Sequence, residues 1–242
     1  GLGHLKDLGR EQTGGNPFFL EESVRALVET EALAGERGAY RLSRPVAAVQ
    51  ISPSVVSLLA ARIDRLAERD KHLLQSASVI GKDVPAPLLV SIAEMPEDHL
   101  RASLAALQAG EFLYERSLFP DLEYTFKHAL THEVAYGSLL RDRRRDLHGR
   151  IVDSIGALYR DRLPEHVERL AHHAQQSERW TQAVDFCWHA GRKALARSAH
   201  RAAVTYFEPA PRALERHVDG GTPDQAVDHR LHPRRAPTPP GE

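Results

Sequence analysis

The stretch Phe112-Leu113-Tyr114-Glu115-Arg116-Ser117-Leu118-Phe119-Pro120-Asp121-Leu122-Glu123-Tyr124-Thr125-Phe126 decides the fold. Its side chains alternate with a period of two, which only an extended strand converts into faces. Phe112, Tyr114 and Arg116 share one side, and Leu113, Glu115 and Ser117 the other. After the turn Phe119-Pro120-Asp121, the residues Leu122, Tyr124 and Phe126 resume the alternation. The pattern is that of a β-hairpin. Almost everything around it has the helical period, so the chain is expected to be mainly α.

Upstream, Gly14-Gly15-Asn16-Pro17 breaks whatever precedes it and opens a helix over 18–28. Asn16 suits the N-cap, and Pro17 the first helical position, where its missing N–H would be unpaired anyway. Leu20, Val24, Leu27 and Val28 give that helix one apolar stripe. Residues 33–49 read as a small hairpin or loop around Gly35, Gly38 and Pro45. Ser52-Pro53 opens a helix reaching Leu66, and further helices are expected over 68–80, 86–93 and 96–110. Helices followed by a hairpin give the order of a winged helix.

Downstream, helices are expected at about 128–140 and 142–160. From Pro164 the chain turns alanine- and histidine-rich, with short helices expected at 166–176, 178–190, 191–199 and 201–208. Ala174 and Ala183 are echoed by Ala194 and Ala203, and Trp180-Thr181-Gln182-Ala183 by His200-Arg201-Ala202-Ala203, which reads as the start of an α-hairpin array. Pro209 and Pro211 would each cost an interior helix ~3 kcal/mol, so the last helix is expected to stop near Glu208.

Composition limits the function. With 32 Lys+Arg against 33 Asp+Glu, the formal charge is −1, which argues against a dedicated nucleic-acid coat or a polyanionic tail. The single cysteine, Cys187, can form neither an internal disulfide nor a cysteine zinc site, and it suits a reducing, cytoplasmic setting. No apolar run approaches the ~18 residues of a membrane span. The chain starts Gly1-Leu2-Gly3 and carries one methionine, Met95. It is expected to be a piece of a larger protein with part of its function upstream.

Several strings carry a resemblance. GNPFFLEE at 15–22, ISPSVVSLLAARIDRL at 51–66, HLLQSASVIG at 72–81, LEYTFKHALTHEVAYGSLL at 122–140 and RRRDLH at 143–148 are similar to the signal-transducing ATPases with numerous domains. These STAND proteins are a branch of the AAA+-like P-loop ATPases. The likeness is to the ATPase region beside class III adenylate cyclase domains and in large LuxR-type regulators, and it covers roughly residues 10–215. It implies four parts: 1–50 the lid end of a P-loop module, 51–160 a winged-helix domain, 161–218 tetratricopeptide-like repeats, and 219–242 a poorly ordered tail.

The resemblance also implies site residues. Gly15, Asn16, Pro17 and Phe18 look like the family's Gly-x-Pro element, whose proline packs on adenine. Phe126-Lys127-His128-Ala129-Leu130 looks like its Met-His-Asp element, whose histidine reaches the β-phosphate of ADP; here Ala129 replaces the aspartate. The cofactor-binding set expected is therefore Gly15, Asn16, Pro17 and His128, with ATP or ADP as ligand and Mg in the parent protein. No G-x-x-x-x-G-K-[S/T] cradle occurs: Gly81-Lys82 is followed by Asp83. The chain alone is expected to bind nucleotide weakly and to have no catalytic residues. Its expected partners are an upstream P-loop ATPase domain and a protein bound through the repeats, and the resemblance implies a parent of the adenylate cyclase or transcriptional regulator kind.

Other readings stand beside these. Pro17 is equally suited to be a plain helix-start proline, and His128 a polar residue ending a strand. His128, His132 and Glu133 lack both a third ligand and the H-E-x-x-H order, so no metal site is expected. His166, His172 and His173 read as a solvated helix surface. Arg141 to Arg150 holds five arginines and two aspartates; it reads as a charged exposed face, or as a contact to DNA phosphates. A DNA-binding winged helix and a helical protein-interaction scaffold are therefore the alternative functions.

Overall fold

The structure, a computed structural model, describes residues 16–35, 39–43, 54–118 and 121–208. It is mainly helical, as expected. In chain order the elements are α1 (Pro17–Glu29), β1 (Leu33–Ala34), β2 (Arg41–Leu42), α2 (Val55–Asp64), α3 (Glu68–Ile80), β3 (Asp83–Pro85), α4 (Ala86–Ala93) and α5 (Glu97–Ala109). Then come β4 (Leu113–Leu118), β5 (Asp121–Phe126), α6 (Ala129–Gly137), α7 (Arg141–Leu158), a 3-10 turn (Arg160–Arg162), α8 (Leu163–Gln176), α9 (Trp180–Ala196) and α10 (His200–Phe207). β1 and β2 pair antiparallel, with Leu33 opposite Leu42 and Ala34 opposite Arg41. The predicted hairpin is β4–β5, and β3 adds to it in the order β3-β5-β4. No helix among the described residues is long and apolar enough to cross a membrane.

The described residues divide into two compact units, one falling within 1–83, 95–118 and 123–139, the other within 84–94, 119–122 and 140–242. In the first, α1 packs on α2, and α3 packs on α5 and α6. Its interior is built from Leu59, Ile63, Leu73, Leu74, Leu107 and Phe126, all under 2% exposed. Each such side chain contributes about 1.5–3 kcal/mol of burial. The expected stripe of α1 is corrected here. Leu20 and Val28 are exposed, while the buried face carries Phe19, Glu22, Ser23, Ala26 and Leu27. A carboxylate occupies that face because the guanidinium of Arg62, itself buried on α2, meets it. On β4 the side that carries Leu113 turns inward. Leu113 is fully buried and Tyr114 exposed, while Phe112, also buried, precedes the strand in the turn that ends α5. On β5, Tyr124 and Phe126 are buried as the alternation requires.

In the second unit α4 packs on α7, and α7, α8, α9 and α10 pack each on the next. Small residues set the spacing: Ala171, Ala174, Ala183 and Ala190 are almost wholly buried, so the backbones approach closely. The echoed alanines Ala174, Ala183, Ala194 and Ala203 all face inward. The separate helices expected over 178–190 and 191–199 are one helix, α9. Gly191 does not break it, since one glycine costs a helix interior only about 1 kcal/mol, and the Phe207 ring fills the space where a side chain would project. α10 stops at Phe207 with Glu208 as its cap. Pro209 and Pro211 lie outside the described residues.

Four helices end in the same turn. After α1, α5, α8 and α9, the N–H groups of Ala32, Phe112, Arg179 and Ala199 reach back to the carbonyls of Leu27, Leu107, Ala174 and Ala194. Those of Glu31, Glu111, Glu178 and Ser198 bond to Val28, Gln108, Gln175 and Leu195. This pair of bonds is the Schellman motif, which places its pivot residue in the left-handed region. The pivots have φ of 55°, 55°, 59° and 57°, and none is glycine.

Candidate functional site

Asn16 caps α1 as the sequence predicts. Its Oδ1 accepts from the N–H groups of Phe18, at 3.0 Å, and Phe19, at 3.3 Å. Two of the helix's unpaired donors are thereby satisfied. Pro17 is the first helical residue and is exposed. Gly15, named with them, lies outside the described residues. The cap fixes where the next residue points. Phe18 lays its ring against the imidazole of His128, with centroids 4.1 Å apart and planes tilted by 45°. The Asn16-Pro17-Phe18 segment and the Lys127-His128 segment, far apart in sequence, are thus brought together within one unit.

His128 has an extended backbone and precedes α6, and its carbonyl accepts from Thr131 and His132. Its Nε2 is buried and has no hydrogen-bond partner. Burial, and then the charge of Lys127, hold the imidazole below its usual value against the opposing pull of Glu22 and Glu21. A neutral ring carries one N–H and one lone pair, so this nitrogen is a buried polar atom with its bonding capacity unused. His132 is differently placed. Its Nε2 donates to the Ser78 carbonyl at 2.8 Å, and its ring stands edge-on to Phe126.

Beside His128 lies an ion cluster that sequence reading did not identify. Lys127 Nζ donates to Glu21 at 2.6 Å and also to Glu111. Arg25 donates to Glu111 at 2.6 Å and to Glu21 at 3.3 Å, and the Tyr114 hydroxyl donates to Glu111 at 3.1 Å. The second terminal nitrogen of Arg25, Nη1, is buried without a partner. Only the fold joins these residues. The local signal was confined to Glu21 and Arg25, spaced to meet on a helix.

The cluster predicts an acid-dependent loss of stability. The Lys127 ammonium, with Arg25 assisting, holds the Glu111 carboxyl down at about 2. The folded value lies below the unfolded one, so the contribution is present above about pH 4.5 and is lost as pH falls toward 2. The Glu111 side chain is 37% exposed, which screens the interaction, so the effect is at most about 1 kcal/mol. Urea midpoints measured from pH 5 to 2 are expected to fall more steeply for the wild type than for Glu111→Gln. Parallel slopes would remove this assignment.

The remaining candidates find other surroundings. Arg141 and Arg145 pair with Glu178, Arg143 with Asp146, and Arg150 with Glu94. Much of the arginine-rich stretch therefore serves its own unit. Cys187 is buried, with Gln175 at 2.8 Å from its sulfur. The solvated-surface reading of the α8 histidines is corrected. His172 is exposed, but His173 is 2% exposed and bonds to His148 of α7, while His166 stacks on Tyr159 at 4.1 Å. α8 is covered by α7 on one side and α9 on the other, so residues that look polar in sequence lie inside.

No protein-family model matches the chain. It is 27% identical over 215 residues to an uncharacterized protein of Rhizobium meliloti (strain 1021), in an alignment taking in 86% of this chain. The same alignment takes in 20% of the relative, so the chain spans about a fifth of that protein's length.

Proposed function

We propose that this chain is the sensing part of an ATP-dependent STAND signalling protein, in which Pro17 and His128 read a nucleotide held by an upstream P-loop domain. The observation that carries the reading is the meeting of Asn16-Pro17-Phe18 with His128, whose buried Nε2 has no partner. In the Nε2–H tautomer that nitrogen donates to a phosphate oxygen, and the amino end of α6 adds its positive dipole. Pro17, exposed and without an N–H, offers an apolar face to a flat base. When bound, ADP supplies the acceptor oxygens that the chain itself does not provide. Loss of the phosphate contact would release His128, and the winged helix formed by residues 51–160 would move. The helices from Leu163 to Phe207 would pass that motion on or hold a protein partner, a role that suits the exposed Trp188, Leu195 and Val204.

The test is calorimetric titration of ADP and ATP into this chain and into a longer polypeptide that supplies the P-loop module. Tight binding is expected only in the longer form, weakened about tenfold or more by His128→Ala, the loss of a hydrogen bond to a charged group. Unchanged affinity and exchange in that variant would remove the sensing role. Salt-dependent binding of duplex DNA by the chain would favour the transcriptional alternative.

A further inference from the structure

Three histidines of the second unit converge at the α7–α8 packing. His148 of α7 and His173 of α8 are 1% and 2% exposed, and their Nδ1 atoms are 2.8 Å apart. His172, the neighbour of His173, stands edge-on to both rings, with centroids 5.7 Å from His148 and 5.1 Å from His173. One ring nitrogen from each of the three lies within 4.8 Å of the others. Among the described residues this is the group of potential metal ligands that closes to such distances.

The pair of Nδ1 atoms constrains the protonation states. One must donate and the other accept, so the accepting ring is neutral and the two cannot both be imidazolium. Burial pushes both imidazoles below their usual range, toward the neutral form. Neutral imidazole is the form that ligates a metal. Around a tetrahedral zinc with Zn–N of about 2.0–2.1 Å, ligand nitrogens are separated by about 3.3 Å. The buried pair must therefore open by about half an ångström and His172 must close in, changes within reach of side-chain torsions.

We propose that His148, His172 and His173 form a binding site for a late first-row divalent cation, with zinc as its probe and an open fourth position on the exposed His172 side. On binding, the shared Nδ1 proton moves to the Nε2 of its own ring, so each histidine ligates through a lone pair and no net proton is lost. The cation replaces a hydrogen bond between two helices with coordination that joins them. Arg144 and Arg169 act electrostatically on this group and oppose the added charge. The site is thereby set for a ligand that gains from three nitrogen bonds, such as Zn²⁺, Cu²⁺ or Co²⁺, rather than for Mg²⁺ or Ca²⁺.

The test uses the full chain freed of metal by a chelator. Zinc is titrated against a chromophoric chelator, and cobalt is titrated separately for the visible bands of a four-coordinate ion. One equivalent of zinc is expected, with a raised melting temperature and cobalt bands present. Because His172 is exposed, His172→Ala is expected to keep the helical circular dichroism and to weaken zinc by more than about tenfold, the lower bound set by losing a mere outer-shell partner. His99→Ala, on the exposed surface of α5, is expected to leave binding unchanged. Absence of zinc binding, or equal affinity in wild type and His172→Ala, would overturn the proposal; the latter would place the ion on other histidines.

Discussion

Arg62→Ala is expected to lower folding stability by about 3–5 kcal/mol, the usual cost of leaving a buried charge without its partner. The Arg62 and Glu22 side chains are each 2% exposed and are ion-paired. The same guanidinium donates to Glu29 through Nε, at 3.0 Å, and Nη2, at 2.6 Å, and to the Gly110 carbonyl at 3.0 Å. It lies 4.8 Å from the centroid of the Phe112 ring. Alanine removes all of these and strands the Glu22 carboxylate between α1 and α2. Urea unfolding reads the loss as a lower midpoint with an unchanged slope. The double variant Arg62→Met with Glu22→Gln is expected to recover most of it, because no charge then remains buried. A single-variant loss below about 1 kcal/mol would show that water reaches the pair.

The second large effect is expected at Gly191. A Cβ there would lie 2.4 Å from Cζ of Phe207 and 2.6 Å from its Cε1, well inside contact distance. Alanine favours a helix interior by about 1 kcal/mol over glycine, while overpacking costs about 1–3 kcal/mol. The net expectation for Gly191→Ala is a loss of up to about 2 kcal/mol, from the difference of those terms. The ring must leave, and the contact between α9 and α10 leaves with it. Amide exchange should therefore accelerate in 200–207, with the protection of α7 and α8 retained. Adding Phe207→Leu should restore part of the loss. A stabilised Gly191→Ala protein would show that the ring yields freely.

Local chemistry made much of the fold legible. Asn16 and Pro17 marked the start of α1, α3 and α4 have the bounds the period predicts, and the period change at Phe112 located the hairpin. The misreadings share one physical cause: a neighbour distant in sequence changed what a residue could do. Glu22 could turn inward only because Arg62 meets it. Gly191 lies inside one continuous helix, with the Phe207 ring packed where a side chain would project. His173 could be buried only because His148 bonds to it. Pro17 and His128 were named as candidates through a family resemblance, and the structure brings their segments together. Phe18 as the ring on His128, and Glu111 as the carboxylate gathering Lys127, Arg25 and Tyr114, depend on contacts that no local pattern encodes.

The left-handed pivots that end four helices bear on how far this protein could be re-engineered. Glycine takes that backbone without a Cβ penalty, whereas other residues give up roughly 1–2 kcal/mol. At Glu31 and Ser198, both on the surface, exchange for glycine would reclaim part of that sum without disturbing the interior. At Glu111 and Glu178 the same exchange would remove the carboxylates that receive Lys127 and Arg25, and Arg141 and Arg145. Two corners are thus open to thermostabilisation, and two have traded backbone comfort for a place to anchor charge.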